Sequence, residues 1–155
     1  RALFPPLLFA GFLISIIAYV NTEEKIVRPK KHIIQVRFSD AFRAVASNKY
    51  QSGTEALIKK FFGNLDFLMI LGQRDGCPIK PDPAVVHEIM NALPGISRDE
   101  VVYCGDSDVD MQTGNNAGVR TIGVTWGFRS REELLANNPW MLADGAEDIM
   151  TAVLK

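Results

Sequence analysis

The run Gly105-Asp106-Ser107-Asp108-Val109-Asp110 concentrates the most reactive chemistry of this 155-residue chain. Asp106 and Asp110 are four apart, so one helical turn can bring both carboxylates to one point. Gly105 lets the chain turn sharply just before them. Hard oxygen donors in that arrangement suit Mg²⁺, which keeps several waters and often bridges to a substrate phosphate. The competing explanation is a helix N-terminus decorated with acids, which the helix macrodipole favours. An EF-hand fits poorly. The Asp-x-Asp-x-Asp spacing is present, but counting from Asp106 the positions that need Gly and Glu hold Met111 and Ala117.

Lys80 stands in Lys80-Pro81-Asp82-Pro83, where two prolines stiffen the segment and fix where the ammonium points. A lysine so placed can stabilise negative charge on a phosphoryl group. Ser47 and Asn48 follow an apolar stretch, and a hydroxyl with backbone N–H groups there can bind phosphate oxygens. Each also has a plain alternative: a solvated lysine and an ordinary turn cap. Trp126 fits a substrate entrance or simple packing equally well. His32 and His87 lack partners at ligand spacing, Cys104 reads as a small buried hydrophobe, and Cys77 stands in a loop.

The elements that must position these residues alternate regularly from residue 44 onward. Strands are expected at Ala44–Ala46, Phe67–Leu71, Val101–Cys104, Arg120–Val124 and Met141–Ala143. Between and after them, helices are expected at Gly53–Phe62, at Pro83–Leu93 with Asp82 as N-cap, and at Asp108–Ala117 ended by Gly118. Two more follow, one capped by Ser130 and running through Ala136, the other at Ala146–Leu154. Strand–helix alternation predicts a parallel sheet with helices on both faces, a Rossmann-like α/β fold. Ligands bind such sheets at the carboxyl ends of the strands, and that is where Ser47, Lys80, Asp106 and Trp126 fall.

Composition separates a first part from this domain. Residues 1–43 carry net charge +4 and residues 44–155 net charge −5, and the whole chain is −1. No global basic field points to nucleic acid, and two cysteines make no disulfide framework. From Ala2 to Val20 there is no charge, a run just long enough to cross a bilayer. Lys25, Arg28, Lys30, Lys31 and Arg37 follow and would face the cytoplasm. Three readings of residues 1–43 stand side by side: a membrane anchor at 2–20, a signal-peptide core, and a frameshifted or misjoined segment not native to the domain. A short strand is expected at Ile33–Phe38, with a turn at Ser39-Asp40.

From Ala44 to Lys155 the ordered set of Ser47-Asn48-Lys49, Lys80-Pro81-Asp82-Pro83, Gly105-Asp106-Ser107-x-x-Asp110, Ala117-Gly118 and Thr125-Trp126-Gly127 resembles the haloacid dehalogenase superfamily, in its phosphoglycolate phosphatase-like branch. The resemblance implies a Mg²⁺-dependent phosphatase acting on a small phosphorylated metabolite through an aspartyl-phosphate, in the cytoplasm. It implies that Ser47 holds the transferring phosphoryl group. Lys80 would offset charge on nucleophile and phosphate, Asn48 would position the phosphate or the lysine, and Asp106 and Asp110 would bind or orient Mg²⁺. A receiver domain of the response-regulator type uses similar residues, but there the acids precede the lysine in the chain.

The family's first motif, Asp-x-Asp-x-Thr on the sheet's first strand, supplies nucleophile and general acid/base. Before Ser47 the only acids are Glu23, Glu24 and Asp40, and none forms that pair. The helical cap that selects substrate is not found in residues 1–43 either. The expectation is an incomplete core that lacks its central first strand, leaves an apolar gap, and does not turn over by itself. The alternative is a non-catalytic truncated or membrane-tethered module that binds phosphate or metal.

Overall fold

A computed structural model of the protein describes residues 15–19 and 42–153. Six strands form one sheet: β1 (Ser15–Tyr19), β2 (Arg43–Tyr50), β3 (Met69–Gln73), β4 (Val101–Gly105), β5 (Arg120–Val124) and β6 (Met141–Ala143). Five α-helices connect or follow them: α1 (Gln51–Phe62), α2 (Ala84–Asn91), α3 (Asp108–Ala117), α4 (Arg131–Leu135) and α5 (Ala146–Val153). The spatial order is β3-β2-β1-β4-β5-β6.

The pairs β2–β3, β4–β5 and β5–β6 are parallel. Alternation along β4 shows how the sheet divides its two faces. Val101 and Tyr103 join Ala44, Ala46, Val86, Ile89 and Ala117 in one core, under α2 and α3. Val102 and Cys104 point the other way and pack with Ile122, Ala143, Ile149 and Val153, under α5. Helices therefore cover both faces, as strand–helix alternation requires.

The centre of the sheet corrects the sequence expectation. No gap separates β2 from β4, because β1 lies between them and pairs with both, antiparallel to each. Ser15 stands opposite Ala46 and Ile16 opposite Cys104. The physical reason is the demand of two inner strands: each would otherwise present a row of unmade backbone hydrogen bonds in an apolar interior. Ser15-Ile16-Ile17-Ala18-Tyr19 offers β-branched and aromatic residues that suit a strand. The last part of the run read as a candidate membrane helix at 2–20 is thus a sheet strand, and its remainder lies outside the described residues. The strand expected at Ile33–Phe38, the turn at Ser39-Asp40, His32, Glu23, Glu24 and Asp40 lie outside them as well. Among the described residues no helix is long and apolar enough to cross a membrane.

Smaller shifts are local. The first expected strand continues past Ala46 to Tyr50, with a register shift between Ala46 and Tyr50. This carries Ser47 and Asn48 on the strand's irregular end rather than in a loop after it. The strand expected at Phe67–Leu71 begins at Met69 and runs to Gln73. Helix α2 starts one residue later than expected, with Pro83 at its N-cap, while Asp82 Oδ1 accepts from the Ala84 amide at 2.8 Å. Helix α3 ends as expected, with Gly118 left-handed at φ 71°. The Ser130 cap of α4 is a capping box with Glu133.

Candidate functional site

The carboxyl ends of β2 and β4 and the loop before α2 bring Ser47, Asn48, Lys80, Asp106 and Asp110 into one connected constellation. The Asn48 side chain grips the main chain of Lys80 at both ends. Its Nδ2 donates to the Lys80 carbonyl at 3.0 Å, and its Oδ1 accepts from the Lys80 amide at 2.9 Å. The lysine side chain then turns inward, only 10% exposed. Its Nζ donates to Asp110 Oδ1 at 2.8 Å and to the Ala46 carbonyl at 3.4 Å. The peptide bond between Lys80 and Pro81 is cis.

Asp110 is the hub. Oδ1 accepts from Lys80 Nζ and from the buried Tyr103 hydroxyl at 3.4 Å. Oδ2 accepts from the Ser107 hydroxyl at 2.6 Å and from the Asp106 amide at 3.3 Å. Ser107 also caps α3, its Oγ accepting from the Asp110 amide. Gly105 is required here: a Cβ would run into the Asp110 carboxylate.

Asp106 has different surroundings. It is buried, and its carboxylate accepts one hydrogen bond among the described residues, from the Phe128 amide to Oδ2 at 2.8 Å. Burial pushes its pKa above the ordinary aspartate value. The Phe128 amide opposes that shift, neighbouring Asp110 reinforces it, and Lys80 counteracts it more weakly. Oδ1 is left as an oxygen donor on this edge.

This donor set decides what cation fits. Among the described residues no three His, Cys, Asp or Glu side chains gather as a metal cage. Mg²⁺ needs none, since it is held by one or two carboxylates plus waters and substrate phosphate. Asp106, whose Oδ1 has no hydrogen-bond donor among the described residues, fits a direct ligand. Asp110 already accepts from Lys80, Tyr103, Ser107 and the Asp106 amide and fits an outer position, holding Lys80 and the turn around Asp106.

Ser47 Oγ accepts from the Lys49 amide at 3.1 Å and lines a cleft of about 70 Å³ with Asn48, Arg74, Cys77 and Lys80. Trp126 packs against the core under α5. His87 Nε2 is buried on α2 with no hydrogen-bond partner among the described residues and stands outside the constellation. Burial pushes the Cys104 thiol pKa up to about 12, while Cys77 is exposed.

Sequence reasoning missed three contributors. The Tyr103 hydroxyl is invisible because an inward strand residue reads as core. The Phe128 amide carries no side-chain signature. Ser107 is hidden among the acids of its motif, although a serine three residues before Asp110 is an N-cap signal.

The chain belongs to the haloacid dehalogenase-like hydrolase family, whose model matches residues 17–124. That range begins inside the apolar segment, at β1. The chain is 31% identical over 87 residues to a phosphoglycolate phosphatase of Pectobacterium atrosepticum, covering 56% of this chain and 37% of that protein. It is 25% identical over 134 residues to the pyrophosphatase PpaX of Halalkalibacterium halodurans, covering 84% of this chain and 62% of that protein. A solved structure from Lactobacillus delbrueckii subsp. bulgaricus superposes with a TM-score of 0.66 at 37% identity, over 72% of this chain and 46% of the other. A predicted phosphoglycolate phosphatase from Haemophilus somnus gives 0.62 at 25% identity, over 70% and 48%. The chain spans about half the length of the curated relatives it matches.

Proposed function

We propose that this chain is the phosphate- and Mg²⁺-holding part of a phosphatase acting on a small phosphate monoester of the phosphoglycolate kind. The observation that carries the reading is the buried Lys80–Asp110 pair, set at the carboxyl edge of the sheet beside Asp106. A lysine held between a carboxylate and the Ala46 carbonyl cannot wander, so its charge is pre-organised for an anion arriving at that edge. Asn48 fixes the height of Lys80 through its main chain. Ser47 contributes a hydroxyl and an amide to phosphoryl oxygens. Asp106 holds the cation, with Asp110 behind it. When bound, Mg²⁺ neutralises charge on the phosphoryl oxygens.

No Asp-x-Asp-x-Thr occurs in the 155 residues. The reading is therefore that the chain binds phosphate with Mg²⁺ but does not turn over a monoester by itself. Calorimetry of inorganic phosphate in Mg²⁺ tests it. Binding is expected in the wild type and lost in Lys80→Ala, with circular dichroism confirming that the variant is folded. Equal binding in Lys80→Ala sinks the site assignment. Mg²⁺-dependent release of phosphate from phosphoglycolate that disappears in Lys80→Ala overturns the inactivity.

A further inference from the structure

The loop after β5 touches Asp106 at more points than the Phe128 hydrogen bond alone. Two consecutive amides bind the same residue: Phe128 N–H reaches the Asp106 carboxylate at 2.8 Å, and Arg129 N–H reaches the Asp106 carbonyl at 3.1 Å. Immediately before them, Gly127 lies flat against the Asp106 side chain. A Cβ on Gly127 would collide with Asp106 Cβ and stand 2.6 Å from Oδ2 and 2.8 Å from Cγ. The loop is itself anchored. Arg129 Nε donates to Asp108 Oδ1 at 3.2 Å, Nη1 pairs with Glu133 at 3.5 Å, and the guanidinium lies over the Phe128 ring at 5.1 Å. The Phe128 ring is 78% exposed, so its burial does not hold the segment in place.

We propose that Gly127 and the Phe128 amide are positioning elements for Asp106: they press on one side of its carboxylate and occupy Oδ2, so that Oδ1 alone is presented to a divalent cation. The chain of reasoning is steric and then electrostatic. An aspartate side chain turns about two torsions, and its two oxygens are equivalent until something distinguishes them. Gly127 blocks one direction of turning. The Phe128 amide takes one oxygen with a charge-assisted hydrogen bond. What remains is a single oxygen in a fixed direction, which is the condition for a site that uses few protein ligands. This inference rests on the Mg²⁺ reading of Asp106.

The test uses the full 155-residue chain and Mg²⁺ alone, titrated by calorimetry. Gly127→Ala is expected to weaken Mg²⁺ binding about tenfold or more. Phe128→Pro, which deletes the donor amide, is expected to do the same. Gly53→Ala in α1, where a Cβ meets only the flexible Lys49 side chain, is expected to leave Mg²⁺ affinity in place and not to lower the melting temperature. A second measurement needs neither loop variant to fold. The Phe128 amide of the wild type is expected to be protected from hydrogen exchange, and to lose that protection in Asp106→Ala. Wild-type binding that is unchanged in a folded Gly127→Ala overturns the loop's role and leaves the metal reading standing. No Mg²⁺ binding by the wild type overturns the metal reading, and the role assigned to the loop falls with it. An unprotected Phe128 amide in the wild type overturns the loop's role directly.

Discussion

Two neighbouring strands at the centre of the sheet, β1 and β4, reach the same edge in opposite senses. Strand β4 runs toward it and delivers Gly105 and Asp106 from its carboxyl end into the first turn of α3. Strand β1 runs away from it, so its amino end, Ser15, lies opposite Ala46 beside the site. The lesson is that sheet continuity and site chemistry are separable. Either strand direction satisfies the backbone groups of β2 and β4. Only a strand that runs toward the site edge can deliver its carboxyl end there: β2 does so with Ser47 on its irregular end, β4 with Asp106 in the turn that follows, and β1 does not.

The sharpest way to break the site half of this comparison is Asp110→Ala. It leaves the Lys80 ammonium buried without its carboxylate, which costs about 3–5 kcal/mol. Denaturant unfolding checks it, and a loss below about 1 kcal/mol would show that the pair is not desolvated. The structural half is broken next by Ile17→Pro. Proline removes a ladder donor from a strand paired on both sides, at an expected cost of about 1–3 kcal/mol. Wild-type stability in that variant would mean that β1 does not close the sheet.

A finer contrast concerns the two thiols. Cys77 is expected to react at once with a thiol reagent, and Cys104, buried with its pKa pushed up to about 12, only on unfolding. Fast labelling of both would mean that the core beneath β4 is open. The smallest effect belongs to the half-exposed pair of Arg74 and Glu88, which flanks the cleft rather than the hub. Arg74 donates two hydrogen bonds to Glu88 and holds its pKa below the ordinary glutamate value, against an opposing effect of burial. A depressed carboxylate pKa means the stabilisation is present above the unfolded value and fades as pH falls through the folded one. Glu88→Gln is therefore expected to cost less than about 1 kcal/mol at neutral pH, and the difference from wild type is expected to vanish in acid. A difference that grows in acid would reverse the assigned sign.

Much of the site is legible in the sequence alone, for reasons of local chemistry. Asp106 and Asp110 share a helical turn because their spacing is four. The prolines around Lys80 fix its segment, and Gly118 ends α3 because a left-handed residue favours glycine. The segments between residue 44 and residue 153 declare themselves through periods of 2 and 3.6, which any chain must obey to bury one face. Boundaries moved where a neighbour intervened, as at β2, whose pairing with β3 resumes at Tyr50 after the register shift.

By itself, then, the sequence determined the residue types at the site, their order along the chain, and the alternating fold that lines them up on one edge. The tertiary structure decided the rest. Among the described residues it brought Lys80, Tyr103, Ser107 and the Asp106 amide to Asp110 and only the Phe128 amide to the Asp106 carboxylate, a difference that two aspartates in one motif do not reveal. It turned the Asn48 amide onto the Lys80 main chain, across 32 residues of sequence. It also placed Ser15–Tyr19 between β2 and β4. An apolar run of that kind carries no label for helix or strand, and what settled it was the unmet hydrogen bonding of two strands encoded far downstream.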